Sequence, residues 1–438
     1  MRKLVQSSAA IFLLALSAGS SAQDAESYGP QFGASLLPRP DAPAAIPEQL
    51  DFAASLAATT HPLVEAAEAE SDALGAEYRA ARWQRYPSLS VEALAATEGS
   101  SFADEDGLAL NAIVEQPIWA GGRIDGEIDR ASASRRAGAF RVDETQREIV
   151  FRVISAYYDY VLAAERVGVL ESSLTQHNQL LAAIGRRVDQ EVSPRADLTL
   201  GQSRTAQVEL ELASTLESRD SARIRLLELT GGVPIEPVLP PPGVARSLPA
   251  EEIALAEALG CSPSLEVLTQ LVDVAQAQRD IAQAQLWPQL LVQLSQNEIT
   301  GARAALVLRS QFGAGLSQFA QVDASDARIQ RAMAEFGESE RTLREQLRRD
   351  YVLVRAAGRR IEAGVLAADA ADEIIASYQR QFIAGRRSWL DVMNAVREAA
   401  SARLSESDAR VSAAAGTARI LALTCRWQPD AAEATTGE

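Results

Sequence analysis

The side chains able to do chemistry are few, and their spacing argues against catalysis. The chain has two histidines, His61 and His177, and two cysteines, Cys261 and Cys425. A zinc site draws three or four ligands from Cys, His and carboxylates, so this inventory does not point to one. His61 stands before Pro62 at a helix start, and His177 falls on a heptad stripe, where a polar seam residue is the ordinary occupant. Neither has the neighbours that a general base or a metal ligand needs. Gly121-Gly122 lacks the rest of a phosphate-binding fingerprint and reads as a strand-to-helix corner. Carboxylates are plentiful but lie on solvated helix faces, so paired-carboxylate catalysis has no support. Two of them, Asp197 and Asp391, each follow a short break in a long helical run, where the helix macrodipole favours an acidic first turn. The expectation is a protein that is no enzyme and holds no metal or cofactor.

The remaining question is what elements such a chain builds, and where. Arg2 and Lys3 precede an apolar stretch from Ala9 to Leu16, and Ser20-Ser21-Ala22 offers small residues for cleavage, so residues 1–22 read as a secretory signal. Cleavage would leave Gln23 first, and no cysteine follows the site to take a lipid anchor. The mature chain has no run of about 18 apolar residues, which excludes a spanning helix and leaves only alternating strands as a membrane option. A net charge of -17 over 438 residues argues against nucleic acid, and 47% apolar content argues for a packed core.

Residues 23–48 form a Pro- and Gly-rich lead-in. A helix over 49–85 is stopped by Tyr86-Pro87. Period-two alternation then predicts a hairpin over 88–116, with Leu89, Val91 and Ala93 on one face and Ser88, Ser90 and Glu92 on the other. Beyond Gly122 the period becomes helical, and Val153, Ala156, Tyr160, Ala163, Val167, Leu170, Leu174, His177, Leu181, Ile184 and Val188 step by threes and fours. A turn over 189–195 around Pro194 leads to a helix ending near Leu229, and a Pro-rich linker covers 233–249. The plan then repeats over 250–427. It comprises a helix over 250–286, a hairpin over 288–312 and a long helix with Leu347, Tyr351, Val354, Gly358, Ile361 and Val365 on its stripe. A turn over 384–388 at Gly385 and a last helix complete it, leaving 428–438 as a tail.

Pro87 and Pro288 lie 201 positions apart, whereas Asp197 and Asp391 lie 194 apart. The difference of seven is assigned to the longer first hairpin loop. A lone hairpin with one apolar and one polar face is marginal in water, but in a closed wall the apolar face meets lipid and closure removes the edges. Four strands cannot close a wide barrel, so one chain reads as a sector of a symmetric tube. The competing reading is a soluble periplasmic coiled coil with decorative hairpins and no pore.

The segments "RYPSLSVEAL", "QPIWAGGR", "SPRADL" and above all "AGRRSWLDVMNAVRE" make the chain resemble the TolC-type outer-membrane channels of efflux and type I secretion, over essentially all of residues 49–427. The resemblance implies a mainly α fold with a β-barrel portion: a homotrimer with a twelve-stranded outer-membrane barrel, four strands per chain, on a long α-helical periplasmic tunnel. It implies a periplasmic adaptor (membrane fusion protein) and an inner-membrane ABC transporter or other pump as partners. The Gly-Arg-Arg-Ser-Trp-Leu-Asp form looks closest to channels of adhesin-exporting type I systems, so export of protein is the first expectation and multidrug or metal efflux the alternative. By the resemblance Gly385 and Pro194 mark the hairpin tips at the periplasmic gate, Asp391 and Asp197 are acidic pore residues, and Arg387 helps hold the tip closed. A second acidic position one turn on is Asn394 here, and Phe382 lacks the hydroxyl of a tyrosine latch. The implied topology also brings Cys261 and Cys425 to one level, where a disulfide is expected.

Overall fold

The computed structural model describes residues 43–96, 107–241, 243, 248–297, 301–310 and 317–429. Residues 1–22, read above as a secretory signal, most of the lead-in, most of the C-terminal tail and Phe312 lie outside them. Two copies of one plan follow each other. The first has α1 (Glu48–Thr60), α2 (Pro62–Trp83), β1 (Ser88–Ala96), β2 (Gly107–Trp119), α3 (Arg123–Asp189) and α4 (Arg195–Leu229). The second has α5 (Glu251–Gly260), α6 (Pro263–Ala284), β3 (Gln289–Asn297), β4 (Gly301–Arg309), α7 (Ser317–Ile383) and α8 (Trp389–Leu423). Equivalent helices match in length: 22 residues for α2 and α6, 67 for α3 and α7, 35 for α4 and α8. Ten residues separate β1 from β2 and three separate β3 from β4, a difference of seven. No described helix is long and apolar enough to cross a membrane.

Each expected first helix is split in two. His61 is extended, its Nδ1 accepts from the Leu63 amide at 3.2 Å, and Pro62 begins α2, where a missing N–H costs nothing. Cys261-Ser262 makes the same break before Pro263. The reason is local: a proline tolerated at N1 cannot continue a helix from the turn before it.

The predicted α3 stripe is buried or half-buried throughout, from Val153 to Val188. On α7 the stripe departs from the expected one after Val354. Ala357 is buried in place of Gly358, and the row continues through Ile361, Gly364, Ala368, Ala371 and Ile375, leaving Val365 exposed. A Cβ on Gly364 would sit 3.2 Å from Glu406 Cβ, whereas one on Gly358 would meet nothing within 4 Å, so α8 lies along the shifted row.

The two hairpins join into one antiparallel sheet, ordered β1-β2-β3-β4, with β1 and β4 as open edges. Cross-strand register aligns Leu89 with Val114, Val114 with Leu294, Val292 with Leu306 and Leu290 with Leu308, which collects most of the apolar residues on one face, Ile113, Leu291 and Val307 falling on the other. The other face carries Ser88, Asn111, Glu115, Gln293 and Arg309; there Glu115 accepts from Gln293 at 3.3 Å and from Arg309 at 3.2 Å. A bulge at Pro117–Trp119 absorbs the proline that cannot donate to the ladder. At the exit from β2, Gly121 has φ +61, and a Cβ there would lie 2.8 Å from Trp287 Cβ. Only glycine turns that corner without displacing the tryptophan.

The main core lies midway along the helices, where Leu50, Ala53 and Ala57 of α1 meet Ile154 and Tyr157 of α3 and Ala414 and Ala418 of α8. Burying each large side chain there contributes roughly 1.5–3 kcal/mol. Tyr157 does more, since its hydroxyl accepts from Val238 N at 2.7 Å and donates to Val238 O at 2.9 Å. Burial pushes its pKa up to about 12, so it stays a neutral donor. Tyr351, 194 positions later, donates to Pro249 O at 2.9 Å. The repeat thus places one tyrosine on each end of the linker. Tyr157→Phe is expected to remove both hydrogen bonds to the partly exposed Val238 backbone, costing about 0.5–1.5 kcal/mol, and to speed limited proteolysis within residues 233–249. An unchanged cleavage rate would show that the linker is held by packing alone.

Candidate functional site: the helical hairpin tips

Both tips are built by the same backbone turn. After α3, Glu191 takes a left-handed φ of 60 and the Val192 amide donates to Arg187 O at 2.8 Å. After α7, Gly385 takes φ 71 and the Arg386 amide donates to Gln381 O at 2.9 Å. These bonds satisfy the last carbonyls of each helix and reverse the chain within five residues. Glycine adopts this conformation without a Cβ penalty, whereas Glu191 pays it.

Pro194 is the extended residue before α4, and Asp197 follows in the first turn, half-buried. At the second tip Ser388 caps α8. Its Oγ accepts from the Asp391 amide at 3.2 Å and donates to Asp391 Oδ2 at 2.9 Å. Arg387 lies 3.8 Å from the same carboxylate and stacks 4.1 Å from the Tyr378 ring centroid. Asp391 is therefore held in place by a hydroxyl, a guanidinium and the helix N-terminus, with its carboxylate still half-exposed. Such a fixed, half-hydrated carboxylate can attract cations and repel anions. Asn394, one turn on, is exposed and brings no charge.

Trp389 is buried against Leu180, Ile184, Phe382, Val392 and Met393, so it packs between the two tips. Phe382, without a hydroxyl, instead presents its ring to the Arg187 guanidinium at 5.4 Å. His177 is buried, with Nδ1 2.8 Å from Ser173 O, a contact satisfied within its own helix. Among the described residues no group of three His, Cys, Asp or Glu side chains is placed to hold a metal.

Far from the tips, Cys261 and Cys425 are bonded to each other with Cα atoms 6.5 Å apart. Arg147 donates to Cys261 O at 2.9 Å and lies 2.9 Å from Cys425 Sγ. Burial lowers the Arg147 pKa and raises that of its neighbour Asp143, each partly offset by the other's charge. Beside them Arg426 binds both Glu257 oxygens, at 2.7 and 2.8 Å, and Trp427 Nε1 donates to Asp51 at 2.7 Å. The tyrosine clamps and the Arg147 contact escaped the sequence reading. The only signal for the clamps was that Tyr157 and Tyr351 are 194 apart, the repeat offset itself.

Comparison with known proteins agrees with this architecture. The family model described as outer membrane efflux protein matches residues 53–232 and 254–425, both repeats. Among solved structures, CusC superposes with TM-score 0.76 at 15% identity, covering 86% of this chain and 92% of that one. The outer membrane protein VceC of Vibrio cholerae gives 0.72 at 18% identity, over 86% and 96%. The open state of the MtrE outer membrane channel of Neisseria gonorrhoeae gives 0.72 at 16%, over 88% and 91%. No curated relative matches at the level of sequence. Structural likeness at such identities shows the fold; the family match goes further. The chain belongs to the outer membrane efflux protein family, TolC-type outer-membrane channels with a large periplasmic helical part, which transport and are not enzymes.

Proposed function

We propose that three copies of this chain form the exit duct of an efflux pump, a passive channel that crosses the outer membrane and meets an inner-membrane transporter through a periplasmic adaptor. The observation that carries the reading is the sheet. Its four strands leave both edges open and expose Leu89, Val91, Leu110, Leu306 and Leu308 on one face. Open edges and an apolar face are costly for a single chain in water. Three such sheets, edge to edge, make twelve strands with the apolar face toward lipid and the Glu115–Arg309 face toward water. At the tips, three copies of Asp391, supported by Asp197, line the narrow end and favour cations. Arg387 stiffens the tip through Asp391 and Tyr378.

Efflux replaces adhesin export as the first reading. The Arg-Arg-Ser-Trp motif that suggested secretion occupies one tip, whereas the match to an efflux family spans both repeats. The detergent-purified protein should be a trimer that conducts in planar bilayers, and Asp391→Ala should reduce its cation preference. A monodisperse monomer with full helix content and no membrane association would overturn the channel. Deleting the gene should raise sensitivity to toxic small molecules or metals. Loss of an exported protein with unchanged sensitivity would return the secretion reading.

A further inference from the structure

Helix α7 carries two stripes, only one of which is covered. Opposite the row that packs on α8, Val352, Arg359 and Leu366 recur every seven residues and are exposed, Val352 at 59% and Leu366 at 72%. Helix α4 does the same with Leu210, Glu217 and Ile224, the two apolar members exposed at 72% and 52%. Arg359 and Glu217 join none of the ion pairs formed among the described residues. Both stripes thus read apolar, charged, apolar, with opposite charges.

These faces stand at opposite borders of the chain. Toward the tips the helices contact one another in the order α4–α3–α8–α7. The seam between the repeats, α3 on α8, is pinned by Arg166, whose Nε and Nη2 donate to Asp408 at 2.9 and 2.7 Å. Moving each helix by the repeat offset of 194 turns α3 into α7 and α8 into α4, and turns Arg166 and Asp408 into Arg360 and Ser214. If copies pack as the repeats do, Arg360 of one copy lies level with Ser214 of the next. Running antiparallel, Arg359 then falls within two residues of Glu217, about 3 Å along the axis. The same register sets Val352 beside Ile224 and Leu366 beside Leu210.

We propose that neighbouring copies dock α7 on α4 in this register, with Arg359 of one copy ion-paired to Glu217 of the next between two apolar contacts. The inference rests on the trimer reading and adds its register and its specificity. A slip of one heptad would set Arg359 and Glu217 each against an apolar side chain, a desolvated charge without its partner. The internal seam places its own ion pair at different positions, Arg166 with Asp408, so the two kinds of seam are not interchangeable.

Cysteine cross-linking of the full-length trimer tests this. Glu217→Cys with Arg359→Cys should oxidise to inter-copy dimers and trimers on non-reducing gels. Glu217→Cys with Leu366→Cys, one heptad or about 10 Å out of register, should do so at least about tenfold less, since a disulfide needs Cα atoms within about 7 Å. Glu217→Arg should speed subunit exchange, and adding Arg359→Glu should restore it. A stable trimer whose out-of-register pair cross-links as well or better would overturn the register and leave the channel standing. A trimer indifferent to both charge reversals would overturn the ion pair. A native-mass monomer would overturn both the register and the trimer.

Discussion

Replacing Arg419 with methionine is expected to destabilise the protein by about 3–5 kcal/mol. Asp350 on α7 is 5% exposed, and Arg419 on α8 donates Nε and Nη2 to its Oδ1 at 3.0 and 2.8 Å. The other carboxylate oxygen is buried without a hydrogen-bond partner, so the guanidinium is the main compensation for this charge. Three residues earlier Gly416 lets α8 close on α7; a Cβ there would lie 2.6 Å from Val354 Cγ2. Thermal unfolding in detergent, followed by far-UV circular dichroism, measures the loss. Arg152→Met, which breaks the exposed pair with Glu148, should cost no more than about 1 kcal/mol. Asp350→Leu with Arg419→Met should recover much of the stability, because an apolar pair replaces an unpaired charge. A single variant no worse than Arg152→Met would show that the carboxylate finds solvent.

Breaking the bond between Cys261 and Cys425 should have the other large effect. It closes a loop of 164 residues, for which the chain-entropy model gives at most about 5 kcal/mol. Export to an oxidising compartment keeps such a bond formed. Cys425→Ser should therefore lower the unfolding temperature, and reductant should lower that of the parent protein to match. Intact-mass measurement after alkylation gives the direct test. Unfolded, unreduced protein should take up no label, and two labelled thiols would refute the bond. The junction it ties also holds Arg147, Arg426–Glu257 and Trp427, so serine variants should loosen this junction and leave the tips unchanged.

Much of this molecule was legible because its signals are local. Prolines at 62, 87, 194 and 288 and the glycine at 385 end or begin elements through their own backbone limits. The alternation of Leu89 and Val91 with Ser90 and Glu92, and the stripe from Val153 to Val188, announce strand and helix by period alone. The duplication needs only two offsets and one longer loop. Tertiary packing decided what these patterns leave open. Whether α7 buries Ala357 or Gly358 depends on where α8 lies, which is against Gly364 and not within 4 Å of a Cβ built on Gly358. That two hairpins share one sheet follows from β2 pairing with β3, residues nearly 180 positions apart. Asp350 looked like any helix-face carboxylate until α8 covered it, because burial is a property of the neighbouring helix and leaves no mark in the residue's own sequence.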